Sequence, residues 1–128
     1  MKIEQYKKIA ILLIIVAILL GALGAHYLKE ILTENELKSI ETGVRYQLFH
    51  SIAILILALN NQKFYPTITK SLKIMTVGIC LFSFSIYFLS IQRFIDISMY
   101  FLGPITPIGG VLLIISWIIL FFSVKKID

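Results

Sequence analysis

The chain has a single cysteine, Cys80. No intramolecular disulfide, CxxC redox pair or thiolate zinc site can therefore form, and Cys80 reads as a small core residue. Charge is scarce too: charged residues make up 15% and hydrophobic ones 59%, against about 25% and about 45–50% in a globular domain. That excludes an ordinary soluble domain. No repeat of roughly 20–50 residues and no low-complexity linker is visible. The acids are few, and Glu4, Glu30, Glu34, Glu36, Glu41, Asp96 and Asp128 all stand at the rims of apolar segments. A small proton-coupled transporter needs a carboxylate deep in its bundle, so transport ranks last among the functions considered.

What the chain does have is long uncharged runs: Ile9 to Leu28, Tyr46 to Gln62, Ile74 to Gln92 and Ile97 to Val124. A helix crosses the hydrocarbon in roughly 20 residues. We therefore expect an all-α fold, a four-helix transmembrane bundle forming a single integral membrane domain over 1–128. Its spans fall at about 8–28, 45–62, 72–92 and 104–124. The first segment imitates a secretory signal, with lysines, an apolar run and the small residues of GALGA. Three further apolar segments follow, and we read it as a retained helix.

Basic residues resist translocation. Lys2, Lys7, Lys8, Lys63, Lys70, Lys73, Lys125 and Lys126 would share one side, against Lys29, Lys38, Arg45 and Arg93 on the other. The expectation is a multi-pass protein of the cell membrane with both termini cytoplasmic. Its net charge of +5 sits on the cytoplasmic rims and calls for no nucleic acid. Membrane lipids are the expected partners, with a second copy or another membrane protein also open.

Several local patterns organise the chain. Ala17, Gly21 and Ala25 form a small-residue stripe against which another helix can pack; whether that helix belongs to the same chain stays open. Thr33 and Glu36 have capping-box spacing, with Leu32 and Leu37 as a hydrophobic staple. Leu37, Ile40, Val44 and Leu48 then recur at helical spacing. This predicts an external amphipathic helix between spans one and two, lying on the membrane surface and bending at Gly43. Pro66 marks a turn between the second and third spans. Ser83, Tyr87 and Ser90 share a face of the third span, where such hydroxyls commonly bond their own or a neighbouring backbone. Pro104, Pro107, Gly109 and Gly110 predict an irregular start to the fourth span that allows close helix approach. Trp117 lies deep in that span and needs an acceptor for its indole nitrogen.

The polar groups concentrate between Gly21 and Leu59. Glu41 and Arg45 are one helical turn apart and suit an ion pair, and Tyr46 and His50 have the same spacing. Topology is expected to bring His26, Glu41, Arg45, Tyr46, Gln47 and His50 to one external level as a candidate ligand-binding cluster. Three readings stand. The first is a non-enzymatic membrane protein whose cluster fastens the bundle and binds a lipid headgroup or partner. The second is a membrane enzyme or redox protein using His26 and His50, and the third is the transporter. We assign no catalytic residue, no metal and no cofactor.

GALGAH, ETGVRYQLFHSIAILILAL, GICLFSFSIYFL and ITPIGGVLLIISW resemble the signature blocks of the family catalogued as domain of unknown function 423, which includes the transmembrane protein 256 group of animals. The resemblance runs from about Gly21 to Trp117 and implies four transmembrane helices with no established activity. It also implies that Gly24, His26, Thr42, Gly43, Tyr46, Gln47, His50, Pro107, Gly109 and Gly110 are the characteristic positions. The chain departs from the pattern at Tyr27, Phe84 and Ser116, where glycines are usual, so contacts between helices narrow there.

Overall fold

The computed structural model describes residues 1–126. Helix α1 (Ile3–Ala25) is followed by a short turn of helix, α2 (Leu28–Ile31), and by α3 (Glu34–Leu59). Helices α4 (Ile68–Ile79) and α5 (Ser85–Ile95) are joined end to end by a π-helical turn, Cys80–Phe84, into one long element. A 3₁₀ turn over Tyr100–Leu102 leads into α6 (Ile105–Ser123). Four elements are long and apolar enough to cross a bilayer: Ile3–Ala25, Glu34–Leu59, Ile68–Ile95 and Tyr100–Ser123. The all-α, four-span architecture expected from the uncharged runs is the one observed.

The segment between the first two spans differs from its expectation. It is helical, and its capping box forms as read: Thr33 Oγ1 accepts from the Glu36 amide at 3.2 Å, while Glu36 accepts from the Thr33 amide at 2.8 Å. It does not lie as a separate helix on the membrane surface, however, and it does not end at Gly43. It runs unbroken into the second span as the first turns of α3. At 26 residues, α3 is about 39 Å long, longer than the roughly 30 Å of hydrocarbon. Counting about 20 residues back from Leu59 puts the boundary near Ile40. Glu34, Glu36 and Lys38 therefore project beyond the lipid core.

Helix α3 is central. Its neighbour α1 buries one stripe, Tyr6, Ala10, Leu13 and Ala17, and leaves Leu12, Ile15, Ile18 and Leu19 to the lipid. The small-residue stripe meets a helix of the same chain: a β-carbon on Gly21 would lie 3.6 Å from Val44, and one on Gly24 4.0 Å from Ile40. Ala25, the third member, is exposed. On the other side of α3, the α4–α5 element packs against both α3 and α6. The core at this level joins Ile54, Ala58, Leu72, Met75, Ile79 and Leu113.

Close backbone approach between the last two elements occurs at the π-turn. A β-carbon on Gly109 would fall on the backbone nitrogen of Phe82, and one on Gly78 would lie 2.9 Å from Leu113. Pro107 sits in the first turn of α6, where its missing amide would have had no helical partner anyway. The N-terminus, the Asn60–Thr67 loop and the end of α6 gather at one end of the bundle. There the Tyr65 amide donates to the Ser123 carbonyl at 2.8 Å, and Lys125 Nζ donates to the Gln62 carbonyl at 2.9 Å. The capping box and Arg93 lie at the opposite, polar end.

Candidate functional site

The polar groups buried in the bundle are uncharged. Among the described residues no Asp, Glu, Lys or Arg is buried; the buried polar side chains are Gln47, His50 and seven serines. Gln47 is fully buried and ties three helices together. Its Nε2 donates to the Leu13 carbonyl of α1 at 2.7 Å, and its Oε1 accepts from the Tyr87 hydroxyl of α5 at 2.7 Å. Ser83, released from regular helical pairing by the π-turn, donates to the Gly43 carbonyl at 2.8 Å. The Tyr87 ring lies where a side chain on Gly43 would be. Ser90 donates to its own helix at Ile86, 2.8 Å away. All three residues of the Ser83–Tyr87–Ser90 face thus bond a neighbouring or local group.

His50 is used in the same structural way. Its Nδ1 contacts the Tyr46 carbonyl at 2.8 Å, and because a carbonyl only accepts, that nitrogen carries the proton. Nε2 is then left to accept from the Trp117 indole at 3.0 Å. Trp117 finds in His50 the acceptor its depth demanded, and neither ring nitrogen is left for a metal or for proton transfer.

The expected gathering of six residues at one level does not occur. His26 caps the exposed end of α1. The Gly24–Ile40 and Gly21–Val44 contacts set it level with the first turns of α3, about 18 Å above His50 at 1.5 Å per residue. A site using both imidazoles is thereby ruled out by register. Nor do Glu41 and Arg45 pair with each other. Among the described residues the ion pairs are Glu4–Lys7, Glu34–Lys38 and Glu36–Arg93.

Arg93, which the sequence showed only as a basic rim residue, grips Glu36 with two hydrogen bonds of 2.9 Å and reaches the Ile31 carbonyl at 3.4 Å. Nothing in local spacing signals this pair, since 57 residues separate its members. With the Arg93 guanidinium and the Thr33 amide both on it, the Glu36 carboxyl outside the lipid core is held down to about 2.

Of the six predicted residues, Arg45, Tyr46 and His50 do come together. With Phe49 they line a groove of about 350 Å³ on the outer surface of α3. Arg45 also borders a second groove, about 330 Å³, between α3 and α1, where Glu41 lies beside Gly21, Gly24 and Ala25. Arg45 is exposed and sits about 8 Å inside the boundary near Ile40.

Comparison with known proteins agrees with this architecture. The chain is 36% identical to the UPF0382 membrane protein YwdK of Bacillus subtilis over 88% of its own length and 89% of the relative's. It is 39% identical to a UPF0382 membrane protein of Haemophilus influenzae over 84% and 82%, and 36% identical to the UPF0382 inner membrane protein YgdD of Escherichia coli over 77% and 72%. No solved structure matches it. The family described as "Protein of unknown function (DUF423)" matches residues 20–110, and the chain belongs to that family of membrane proteins.

Proposed function

We propose that this is a non-enzymatic membrane protein that holds a phospholipid by its phosphate at Arg45. The observation that carries the reading is the position of Arg45. Its guanidinium lies on the exposed surface of α3 at the outer end of the uncharged run that begins at Tyr46, at the meeting of two grooves, without an ion pair among the described residues. A cation at that depth is costly without an anionic partner. Helical side chains lean toward the helix N-terminus, which for α3 is the polar end, so Arg45 reaches toward the headgroup zone. The Gln47, Ser83 and Tyr87 network holds the helices behind it.

The test is the phospholipid phosphorus that co-purifies in mild detergent. Arg45→Gln is expected to lower it while leaving the unfolding temperature unchanged. Equal retention by the variant would refute the reading.

We further propose that both termini face the cytoplasm, because the basic residues outnumber those of the polar end by eight to four. In a Cys80→Ser background, an impermeant maleimide applied to intact cells should label Asn35→Cys and spare Gln62→Cys. The reverse pattern would invert the topology.

A further inference from the structure

Arg45 borders two grooves, and a lipid headed there has two directions in which to lay its chain. The groove on the α1 side is closed from below. Gly21 packs against Val44, and one turn further in the Gln47 side chain bonds the Leu13 carbonyl at 2.7 Å, so no chain passes between α1 and α3. The groove on the outer face of α3 has no such crossing. Past Phe49 and His50 it meets Trp117, whose ring centre lies 6.5 Å from that of Phe49 and 5.9 Å from that of His50. Trp117 also lines a second groove of about 390 Å³ on α6, with Ile114, Ile118 and Phe121. Both helices run from the polar end toward the end that gathers the termini, so the strip descends from Arg45 into the hydrocarbon.

Resting on the reading of Arg45 above, we infer that the occupant is an anionic phospholipid whose acyl chain lies along the adjoining outer faces of α3 and α6, over Phe49, Trp117 and Phe121. Charge complementarity selects the headgroup. Arg45 adds a positive charge that a net-negative lipid neutralises, whereas a phosphatidylcholine phosphate already has its own choline. The rigid aromatic walls select a chain at that place because they bind it at little entropic cost.

The chain has one tryptophan, which makes the test direct. The protein is reconstituted in phosphatidylcholine vesicles containing a minority of lipid with dibrominated chains, either phosphatidylglycerol or phosphatidylcholine at equal mole fraction. Trp117 emission should be quenched about two- to fivefold more effectively by the brominated phosphatidylglycerol, the ratio that an interfacial ion pair supports. Arg45→Gln should bring the two lipids to equality, and moving the reporter to α1 with Trp117→Phe and Leu12→Trp should abolish the difference. Equal quenching in the native protein, with phospholipid still co-purifying through Arg45, would overturn the choice of an anionic lipid at this strip and leave the reading of Arg45 standing. Equal quenching with no Arg45-dependent lipid would overturn both.

Discussion

The indole nitrogen of Trp117 donates to Nε2 of His50 across 3.0 Å, joining α6 to α3 at the edge of the bundle. The same bond leaves the proton of His50 on Nδ1, where the Tyr46 carbonyl takes it. A histidine that the sequence offers as a base or ligand is thereby committed to holding two helices together.

His50→Ala and Trp117→Phe should each lower the unfolding temperature in detergent, because each leaves the other's polar atom without a partner. A double-mutant cycle should give a coupling of about 0.6 kcal/mol, in the range found for hydrogen bonds between membrane helices. Additive effects would mean the contact contributes nothing.

Gln47→Leu should cost more than Tyr87→Phe. The first strands the Tyr87 hydroxyl, at about 1–3 kcal/mol for a buried group left unpaired, and also removes the bond to the Leu13 carbonyl of α1; the second leaves only Oε1 of Gln47 without its donor. Reversible unfolding of the two variants side by side measures the order.

Glycine substitutions should rank by what the new β-carbon meets. Gly21→Ala makes an ordinary contact 3.6 Å from Val44 and should be neutral or gain up to about 1 kcal/mol from helix propensity. Gly43→Ala places its carbon 2.6 Å from the Tyr87 ring and should cost about 1–3 kcal/mol. Gly109→Ala runs into the Phe82 backbone, which cannot rotate away, and should be the worst of the three. Unfolding midpoints test the ranking.

Acid should loosen the polar end before the rest. The Glu36 carboxyl is depressed from its ordinary 4.5 to about 2, so its contribution is complete above about pH 4.5 and is lost as pH falls toward 2. Amide-exchange protection over Leu32–Leu37, taken relative to the intrinsic rate at each pH, should fall through that window in the native protein. Glu36→Gln should show low protection throughout, independent of pH; an unchanged profile in that variant would place the effect elsewhere.

How much of this was legible beforehand divides along one line. The four spans, the capping box at Thr33 and Glu36, and the irregular entry to α6 were read from local spacing, because apolar periodicity and turn chemistry act over a few residues. The lone tryptophan's need for an acceptor was readable as well, though its identity was not. Local reasoning misled at Glu41 and Arg45: helical spacing permits that pair, but an exposed pair contributes a few tenths of a kcal/mol, too little to dictate side-chain geometry. It misled again in treating the amphipathic turns as a separate surface helix, since a capped helix with no break at Gly43 has no reason to stop there.

The sequence by itself determined a membrane protein of four helices and the residues that each helix has to satisfy. The tertiary structure alone decided the partners: His50 with Trp117, Gln47 with Leu13 and Tyr87, Glu36 with Arg93. Such pairings depend on how far one helix slides along another. That offset is set by where glycines let backbones meet, at Gly21 on Val44, Gly43 under Tyr87 and Gly109 on Phe82, and no periodicity within a single helix encodes it. The same offset carried His26 away from His50 and left Arg45 exposed on the outer surface of α3.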